Sequence, residues 1–168
     1  MRLFASYITT ERLIEQYHKQ LYWYIRRMVV SHEDAQDVLQ NTFMQVYLHL
    51  SGLRDPSQER AWLYRIATNE ALMWLRNRHL FLSLEDDDAS GLLDTLAADP
   101  YTDTADSVAM RLQEAVLALP TMQRTVFNLR YFDELSYEEI AAVTGSSVAA
   151  AKTNYHYAKQ RIMKLIEG

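Results

Sequence analysis

The sequence predicts an all-α fold: two small helical domains joined by an acidic flexible linker, with a helix-turn-helix in the second domain. Apolar residues recur at steps of three and four along most of the chain, as on the buried face of a helix. Glycine and proline are scarce, at four and three among 168 residues. The stretch 83–106 lacks this period, so we expect an N-terminal domain over residues 1–82 and a C-terminal domain over residues 107–168.

Charge is distributed unevenly along the chain, which bears on its possible partners. The formal net charge of −5 by itself disfavours nucleic acid. Residues 1–82 carry ten basic and eight acidic side chains, residues 83–106 carry eight acidic and no basic ones, and residues 107–168 carry seven basic and six acidic ones. The excess acidity therefore lies in the linker, and the two domains are not electrostatically barred from DNA.

Composition excludes several classes of protein. The chain has no cysteine, which rules out disulfides and thiolate metal sites. Its longest apolar runs are a few residues, such as 71–75, so no membrane span is predicted. Residues 1–10 lack the apolar core and cleavage signal of a secretory signal peptide, and we expect a cytoplasmic protein.

The N-terminal domain is predicted to hold three helices, over residues 10–29, from the Ser31 cap to about 50, and from the Asp55-Pro56-Ser57 turn to about 79. The second helix has a polar face, which spacing alone favours as solvated surface. Its members are Asp34, Asp37, Gln40, Asn41 and Gln45.

The third helix has a basic face that could hold a single nucleic-acid strand, with phosphates on arginine and bases on the adjacent rings of Trp62 and Tyr64. For Trp62, a place in the core is the simpler expectation. The members of the basic face are Arg60, Arg65, Asn69, Arg76 and Arg78.

The acidic linker admits two interpretations. It is either a solvated spacer or an extended, nucleic-acid-like strand in which Leu92, Leu93 and Leu96 make apolar contacts. Part of it also matches the first half of a calcium loop, at Asp86, Asp88, Ser90 and Gly91. Ala97 stands where that loop needs a bidentate glutamate, so we expect no calcium site.

Four helices are predicted after the linker, and the last two form the helix-turn-helix. Val108, Leu112, Val116 and Leu119 give the buried face of the first, and Met122, Val126 and Leu129 that of the second. Two caps and three small residues predict the motif itself: Ser136 with Glu139 as a capping box, Ser146 or Ser147 as the second cap, and Ala141, Gly145 and Ala151 at the close approach.

The last helix is predicted to bury Val148, Ala151, Tyr155, Ala158, Ile162 and Leu165, and its other face could enter a DNA major groove. Asparagine can pair there with adenine, and lysine or arginine with guanine or phosphate. An ordinary helical hairpin with a solvated face is the alternative. The candidate contacts are Ser147, Ala150, Lys152, Thr153, Asn154, Tyr157 and Arg161, with His156 beside them.

Three blocks of sequence carry a family resemblance: DAQDVLQNTFMQVYLHL at 34–50, AWLYRIATNEALMWLRNR at 61–78, and residues 119–162. Together they resemble bacterial RNA polymerase sigma factors of the extracytoplasmic-function group. The resemblance implies that the first domain binds core RNA polymerase and the melted minus-ten promoter element, and that the second binds the minus-thirty-five element. It further implies a cognate anti-sigma factor as a partner.

The resemblance also gives each polar face a role. It places the polar face of the second helix on polymerase, the basic face of the third on the minus-ten strand, and the last helix on the upstream element. Met73 stands where the family often has aspartate, and Asn154 and Tyr157 stand where arginine is common. The promoter sequence therefore cannot be carried over from relatives.

No chemistry is predicted for the chain itself. The sequence has no nucleophile, base and orienting residue at motif spacing, no phosphate-binding glycine loop and no paired metal ligands, and its five histidines are scattered. We expect no enzyme, cofactor or metal site. Two rivals remain: a helix-turn-helix regulator that binds DNA without polymerase, and a pure protein-interaction module, which would show no salt-dependent DNA binding.

Overall fold

The structure is a computed structural model of the chain, and it describes residues 9–81, 88–98 and 107–168. The regular structure of these residues is entirely helical, which confirms the all-α prediction. The α-helices are α1 (Thr10–Val29), α2 (His32–Leu48), α3 (Glu59–Phe81), α4 (Asp88–Ala98), α5 (Ser107–Leu117), α6 (Thr121–Phe127), α7 (Tyr137–Thr144) and α8 (Val148–Glu167). Short 3-10 turns occupy Leu50–Gly52 and Pro56–Gln58, and a π-helical turn, Asn128–Phe132, continues α6.

Side-chain caps set where the first three helices begin. The Thr9 and Ser31 side chains accept hydrogen bonds from the backbone amides of Arg12 and Asp34, and Asp55 accepts from the Ser57 amide just before α3. Each cap satisfies an amide that has no partner within its own helix. The cap at Ser31 is the one predicted from sequence, and Asp55 is one of the two candidates, Asp55 and Ser57, that the turn before α3 offered.

The connection between α1 and α2 is a strained turn centred on Val30. This residue has φ 79° and ψ −55°, and the amide of Ser31 donates to the Val29 carbonyl at 3.0 Å, so the turn is a γ-turn of the rare positive-φ kind. The Arg26 side chain donates from Nε to the Val30 carbonyl at 2.6 Å. The Val30 side chain is buried, so packing and this hydrogen bond hold a conformation that a β-branched residue otherwise avoids.

One continuous core joins the N-terminal half (α1–α3) to the C-terminal half (α5–α8). It contains Leu21, Tyr24 and Leu63 from the first and Leu129 and Ile140 from the second, all fully buried. A second, smaller cluster lies within the C-terminal half, around Val116, Phe127, Ala158 and Ile162.

Three residues that the helical period placed on buried faces are exposed instead, and those predictions were wrong. They are Val108, Met122 and Leu165. Val108 and Met122 lie in the first turns of α5 and α6, and Leu165 lies in the last turn of α8. A helix end projects beyond the elements it packs on, so periodicity overestimates burial there.

The acidic stretch is helical at residues 88–98, so the expectation that it is extended was wrong for these residues. In α4, Leu92 and Leu96 are buried in a cluster with Val30 and Leu117. Asp88, Ser90 and Gly91 of the partial calcium-loop match lie in this helix, whereas Asp86 lies outside the described residues. Throughout the part of the chain that the structure describes, no helix is both long and apolar enough to cross a membrane.

Candidate functional site

The helix-turn-helix is formed by α7, Gly145 and α8, as predicted. The capping box is complete, because the Ser136 amide donates to Glu139 Oε1 at 3.0 Å and the Glu139 amide donates to Ser136 Oγ at 3.1 Å. Gly145 ends α7 with φ 67°, a left-handed conformation that glycine adopts without a steric penalty. Ser147 then caps α8 by accepting from the Ala150 amide at 3.0 Å.

The proposed DNA-reading face of α8 is largely open to solvent. Ala151 and Ala158, on its other face, are fully buried, and this fixes the rotation of the helix. Lys152 Nζ lies 5.7 Å from the ring centroid of Tyr137, so the first turns of α8 are braced against α7. Ser147, Lys152, Thr153, Tyr157 and Arg161 are exposed, and Ala150 and Asn154 are half-buried.

The polar face of α2 is also accessible. Asp37, Gln40 and Asn41 are exposed, whereas Asp34 and Gln45 are half-buried. Partial burial raises the pKa of the Asp34 carboxyl, against the hydrogen bond at its Ser31 cap and the positive charge of Arg78.

An apolar patch that sequence reasoning missed continues this face. Met44, Tyr47 and Leu48 are 55%, 70% and 63% exposed. They follow Asn41 at helical spacing of three and four, and this second apolar stripe on α2 was visible in the sequence. Large apolar groups clustered on a surface are typical of a protein-binding site.

The basic face of α3 is divided by the structure into free and engaged side chains. Arg65, Asn69 and Arg76 are exposed. Arg78 donates from Nη2 to the Gly91 carbonyl at 3.0 Å and to Thr95 Oγ1 at 2.9 Å, so α4 holds it. Arg60 is held by α7: its Nε and Nη2 donate to Glu139 Oε2 and Oε1 at 2.7 and 2.5 Å.

Tyr64 does not offer its ring to a nucleic-acid base, contrary to the expectation from sequence. It is buried, its ring lies 5.2 Å from that of Tyr24, and its hydroxyl donates to Asp133 Oδ1 at 2.8 Å. Trp62 is half-buried against the core, in agreement with the simpler expectation for it.

Two family models match the chain, one on each half. Sigma-70 region 2 matches residues 13–80, and Sigma-70 region 4 matches residues 109–162. Among curated relatives, RNA polymerase sigma factor YlaC of Bacillus subtilis is 32% identical over 155 residues, which cover 92% of this chain and 90% of YlaC. The chain belongs to the extracytoplasmic-function sigma factors.

Further relatives support this family and its fold. The sigma factor also matches ECF RNA polymerase sigma factor SigW of Bacillus subtilis, with 29% identity over 160 residues, which cover 90% of this chain and 86% of SigW. The structure of sigma factor RpoE with anti-sigma factor NepR from Bartonella quintana superposes with a TM-score of 0.72, at 20% identity and over 94% and 96% of the two chains. CnrH, solved with the cytosolic domain of CnrY, gives a TM-score of 0.68 at 24% identity over 97% and 92%.

Among the residues that the structure describes, no three histidine, aspartate or glutamate side chains lie close enough to share a metal ion. The candidate sites of the sigma factor are polar and basic helix faces, so they suit binding to macromolecules. Glu139 and Asp133 also bear on the basic face of α3, because they contact Arg60 and Tyr64 of that helix. Sequence reasoning found Glu139 only as a cap and Asp133 only as part of the turn before the helix-turn-helix.

Proposed function

We propose that three helices of this sigma factor have separate binding roles: α2 binds core RNA polymerase, α3 binds the melted minus-ten strand, and α8 binds the minus-thirty-five element. The chain binds core polymerase and directs it to specific promoters, and the proposal says which residues do so. Residues 1–82 and 107–168 would be the two functional domains, each with one promoter element. Catalysis would belong to polymerase, and the chain itself would be a cytoplasmic, non-enzymatic subunit.

The exposure of α2 carries the polymerase assignment. When the neighbours of a helix pack against one of its sides, the opposite side normally exposes charged and polar residues to solvent. Here, the outer face joins carboxylate and amide groups at Asp37, Gln40 and Asn41 to the apolar patch of Met44, Tyr47 and Leu48. A polar and apolar surface of this kind fits a partner protein better than it fits nucleic acid.

The two solved structures named above support a further partner, since RpoE was solved with the anti-sigma factor NepR and CnrH with the cytosolic domain of CnrY. We propose that this chain likewise has a cognate anti-sigma factor. A regulator that acts without polymerase would account for α8, but it would not explain the exposed surface of α2.

The polymerase face is tested by reversing its charge. Asp37→Lys combined with Asn41→Ala should weaken binding to purified core polymerase by at least tenfold, because it removes a carboxylate and an amide from the centre of the face. Run-off transcription on genomic fragments should fall in parallel. Both residues are exposed, so the helical content measured by circular dichroism should not change.

The matched control makes the same charge change on α1. Glu15→Lys with Gln20→Ala replaces an exposed carboxylate and an exposed amide on α1, and it should leave core binding unaltered. If the α2 variant binds core polymerase with native affinity, the assignment of this face is wrong.

A further inference from the structure

Two polar contacts join the C-terminal half to α3, one from Glu139 in α7 and one from Asp133, which follows the π-helical turn. Arg60 forms a two-pronged ion pair with Glu139, at 2.7 and 2.5 Å, and Tyr64 donates to Asp133 at 2.8 Å. Arg60 and Glu139 are 79 residues apart in sequence, and Tyr64 and Asp133 are 69 residues apart. Both contacts therefore connect the two halves of the molecule. Nearby, the Arg27 guanidinium stacks over the Phe132 ring at 4.2 Å, a third contact between the halves.

The Arg60–Glu139 pair is built more firmly than an ordinary surface ion pair. Exposed pairs contribute little, but a guanidinium that meets both oxygens of a carboxylate is fixed in geometry as well as charge. The position of the Glu139 carboxylate is also fixed within its own helix, because its Oε1 accepts a hydrogen bond from the Ser136 amide in the capping box. The carboxylate is therefore preorganised to receive Arg60, and it meets the guanidinium as a DNA phosphate would.

The closed arrangement is incompatible with reading both promoter elements at once. Elements centred near positions −10 and −35 are about 25 base pairs apart, or roughly 85 Å along a straight duplex. A compact chain of 168 residues has a radius of gyration of only about 15 Å. Since α3 and α7 are in direct contact here, they must separate before α3 and α8 reach their two elements.

We propose that Glu139 is an internal competitor of DNA: in the free protein it occupies the guanidinium of Arg60, and Arg60 becomes available to the promoter strand only when α7 leaves α3. The inference rests on the proposed function, because it takes Arg60 to be a strand contact. It adds that the upstream-binding half of the molecule restrains the strand-binding half. An isolated sigma factor thereby has less affinity for single-stranded DNA than its arginines would allow.

The salt dependence of binding to single-stranded DNA tests the competition. The probe is a labelled oligonucleotide of about 20 nucleotides and mixed sequence, titrated into the full-length free protein at several salt concentrations. Each additional phosphate of a single strand that the protein neutralises steepens the slope of log affinity against log salt by about 0.7. Glu139→Gln should steepen the slope by about that amount, because it removes the charge that holds Arg60 while glutamine still completes the capping box.

Two further variants isolate the cause. Glu138→Gln makes the same change at the exposed neighbouring position of α7 and should leave the slope near that of the wild type. In an Arg60→Gln background, Glu139→Gln should produce no steepening, since no guanidinium is left to release. An unchanged slope in Glu139→Gln, an equal steepening in Glu138→Gln, or a steepening that persists without Arg60 would each overturn the proposal.

Tyr64→Phe provides a second route to the open form if Glu139→Gln disturbs α7. It keeps the buried ring but removes the donor to Asp133, so it should also steepen the slope, and an unchanged slope in a folded Tyr64→Phe protein would count against the proposal. Run-off transcription by the wild type with core polymerase is measured separately. Its absence would refute the proposed function, whereas normal transcription with no slope change in the variants would refute the competition alone.

Discussion

Two acidic residues at the junction between the halves have opposite electrostatic environments. The hydrogen bonds from Arg60 lower the pKa of the Glu139 carboxyl to about 2, since the guanidinium stabilises its charged form. Burial raises the pKa of Asp133 to about 6, although the hydrogen bond from Tyr64 and the charges of Arg27 and Arg60 oppose that shift. Asp133 Oδ2 has no hydrogen-bond partner among the described residues.

These shifts predict that the closed form is most stable near pH 4 to 4.5 and loses stability as pH rises from there to about 6. The lowered pKa of Glu139 gives a stabilising contribution that is present above its ordinary pKa and is lost as pH falls from there towards 2. The raised pKa of Asp133 acts in the other direction, because burial penalises its charged form. Its stabilising contribution is complete below its ordinary pKa of 3.8 and is lost as pH rises from there through about 6. Raising the pH from 5.5 to 7.5 should therefore increase the open population.

The absence of cysteine makes this measurable with two introduced thiols. Spin labels at Gln36→Cys in α2 and Gln160→Cys in α8, both exposed positions, should report a longer-distance population that grows as pH rises through 6. Asp133→Asn should remove this dependence, because asparagine does not titrate. Identical distance distributions at pH 5.5 and 7.5 would contradict the role of Asp133.

Two neighbours in α8 are expected to differ in what they contribute to promoter binding. Asn154→Ala should relax preference at one or two base positions of the upstream element, with a loss of about 1–3 kcal/mol for the preferred sequence. Lys152→Ala should instead weaken all sequences alike and lower the salt slope by about one, as the loss of a phosphate contact does. Gel-shift titrations on every single-base variant separate the two, and a uniform loss for Asn154→Ala would reduce it to a backbone contact.

At the scale of the helix, α3 should act on single strands rather than on duplex. Opening a duplex requires unstacking, and the strand-binding side chains must offset that free energy. Arg65 and Asn69 are exposed on α3, so they are available for this without rearrangement. Arg65→Ala with Asn69→Ala should reduce transcription from a duplex promoter by at least tenfold and from a pre-melted bubble by much less.

The control for this pair lies on α1. Lys19→Ala with Gln20→Ala removes one exposed cation and one exposed amide, and it should affect neither template. An equal loss on duplex and bubble templates for the α3 variant would remove the melting role from this helix.

The helix features that the sequence predicts well depend only on residues close together in the chain. The caps at Ser31, Asp55, Ser136 and Ser147 involve residues two or three positions apart, so a short stretch contains all the information. The helix-turn-helix follows for the same reason. Helix α4 was missed because its acidic composition obscured a short apolar face, and Leu92 and Leu96 become buried only against Val30 and Leu117.

The sequence predicted the site residues that are exposed, but it could not predict which site residues are bound by side chains from the other half of the molecule. Arg60 and Arg65 look alike in sequence, yet Arg60 is bound by a carboxylate 79 residues away and Arg65 is exposed. Tyr64 likewise became a buried hydrogen-bond donor because Asp133 reaches it from the other half. Contacts between distant segments depend on tertiary packing, and helical periodicity does not report which segments pack together.

For the whole molecule, the continuous core predicts that the two halves of the free protein unfold together. All three tryptophans, Trp23, Trp62 and Trp74, lie in the N-terminal half, so their fluorescence reports on that half alone. Leu129, fully buried in the shared core, belongs to the C-terminal half. Leu129→Ala should lower the stability seen by tryptophan fluorescence in urea by about 2–5 kcal/mol.

The comparison variant deletes a side chain from the smaller cluster. Ile162→Ala acts within the C-terminal half, far from any tryptophan, so it should also lower the tryptophan-detected midpoint if the two halves unfold as one unit. A midpoint unchanged by Leu129→Ala would mean that the halves are energetically independent.

The shared core also has a consequence for how strongly this protein can be captured. A partner that binds only the open form has its apparent affinity reduced by the fraction of molecules that are open. If one molecule in about a hundred is open, the apparent dissociation constant for polymerase rises about a hundredfold, with no change in any polymerase contact. A partner that prefers the closed form by a further factor of about ten lowers that affinity by nearly the same factor again, without covering any polymerase-binding residue. The number of active sigma factors in a cell would then depend on a conformational equilibrium as much as on the amount of protein made.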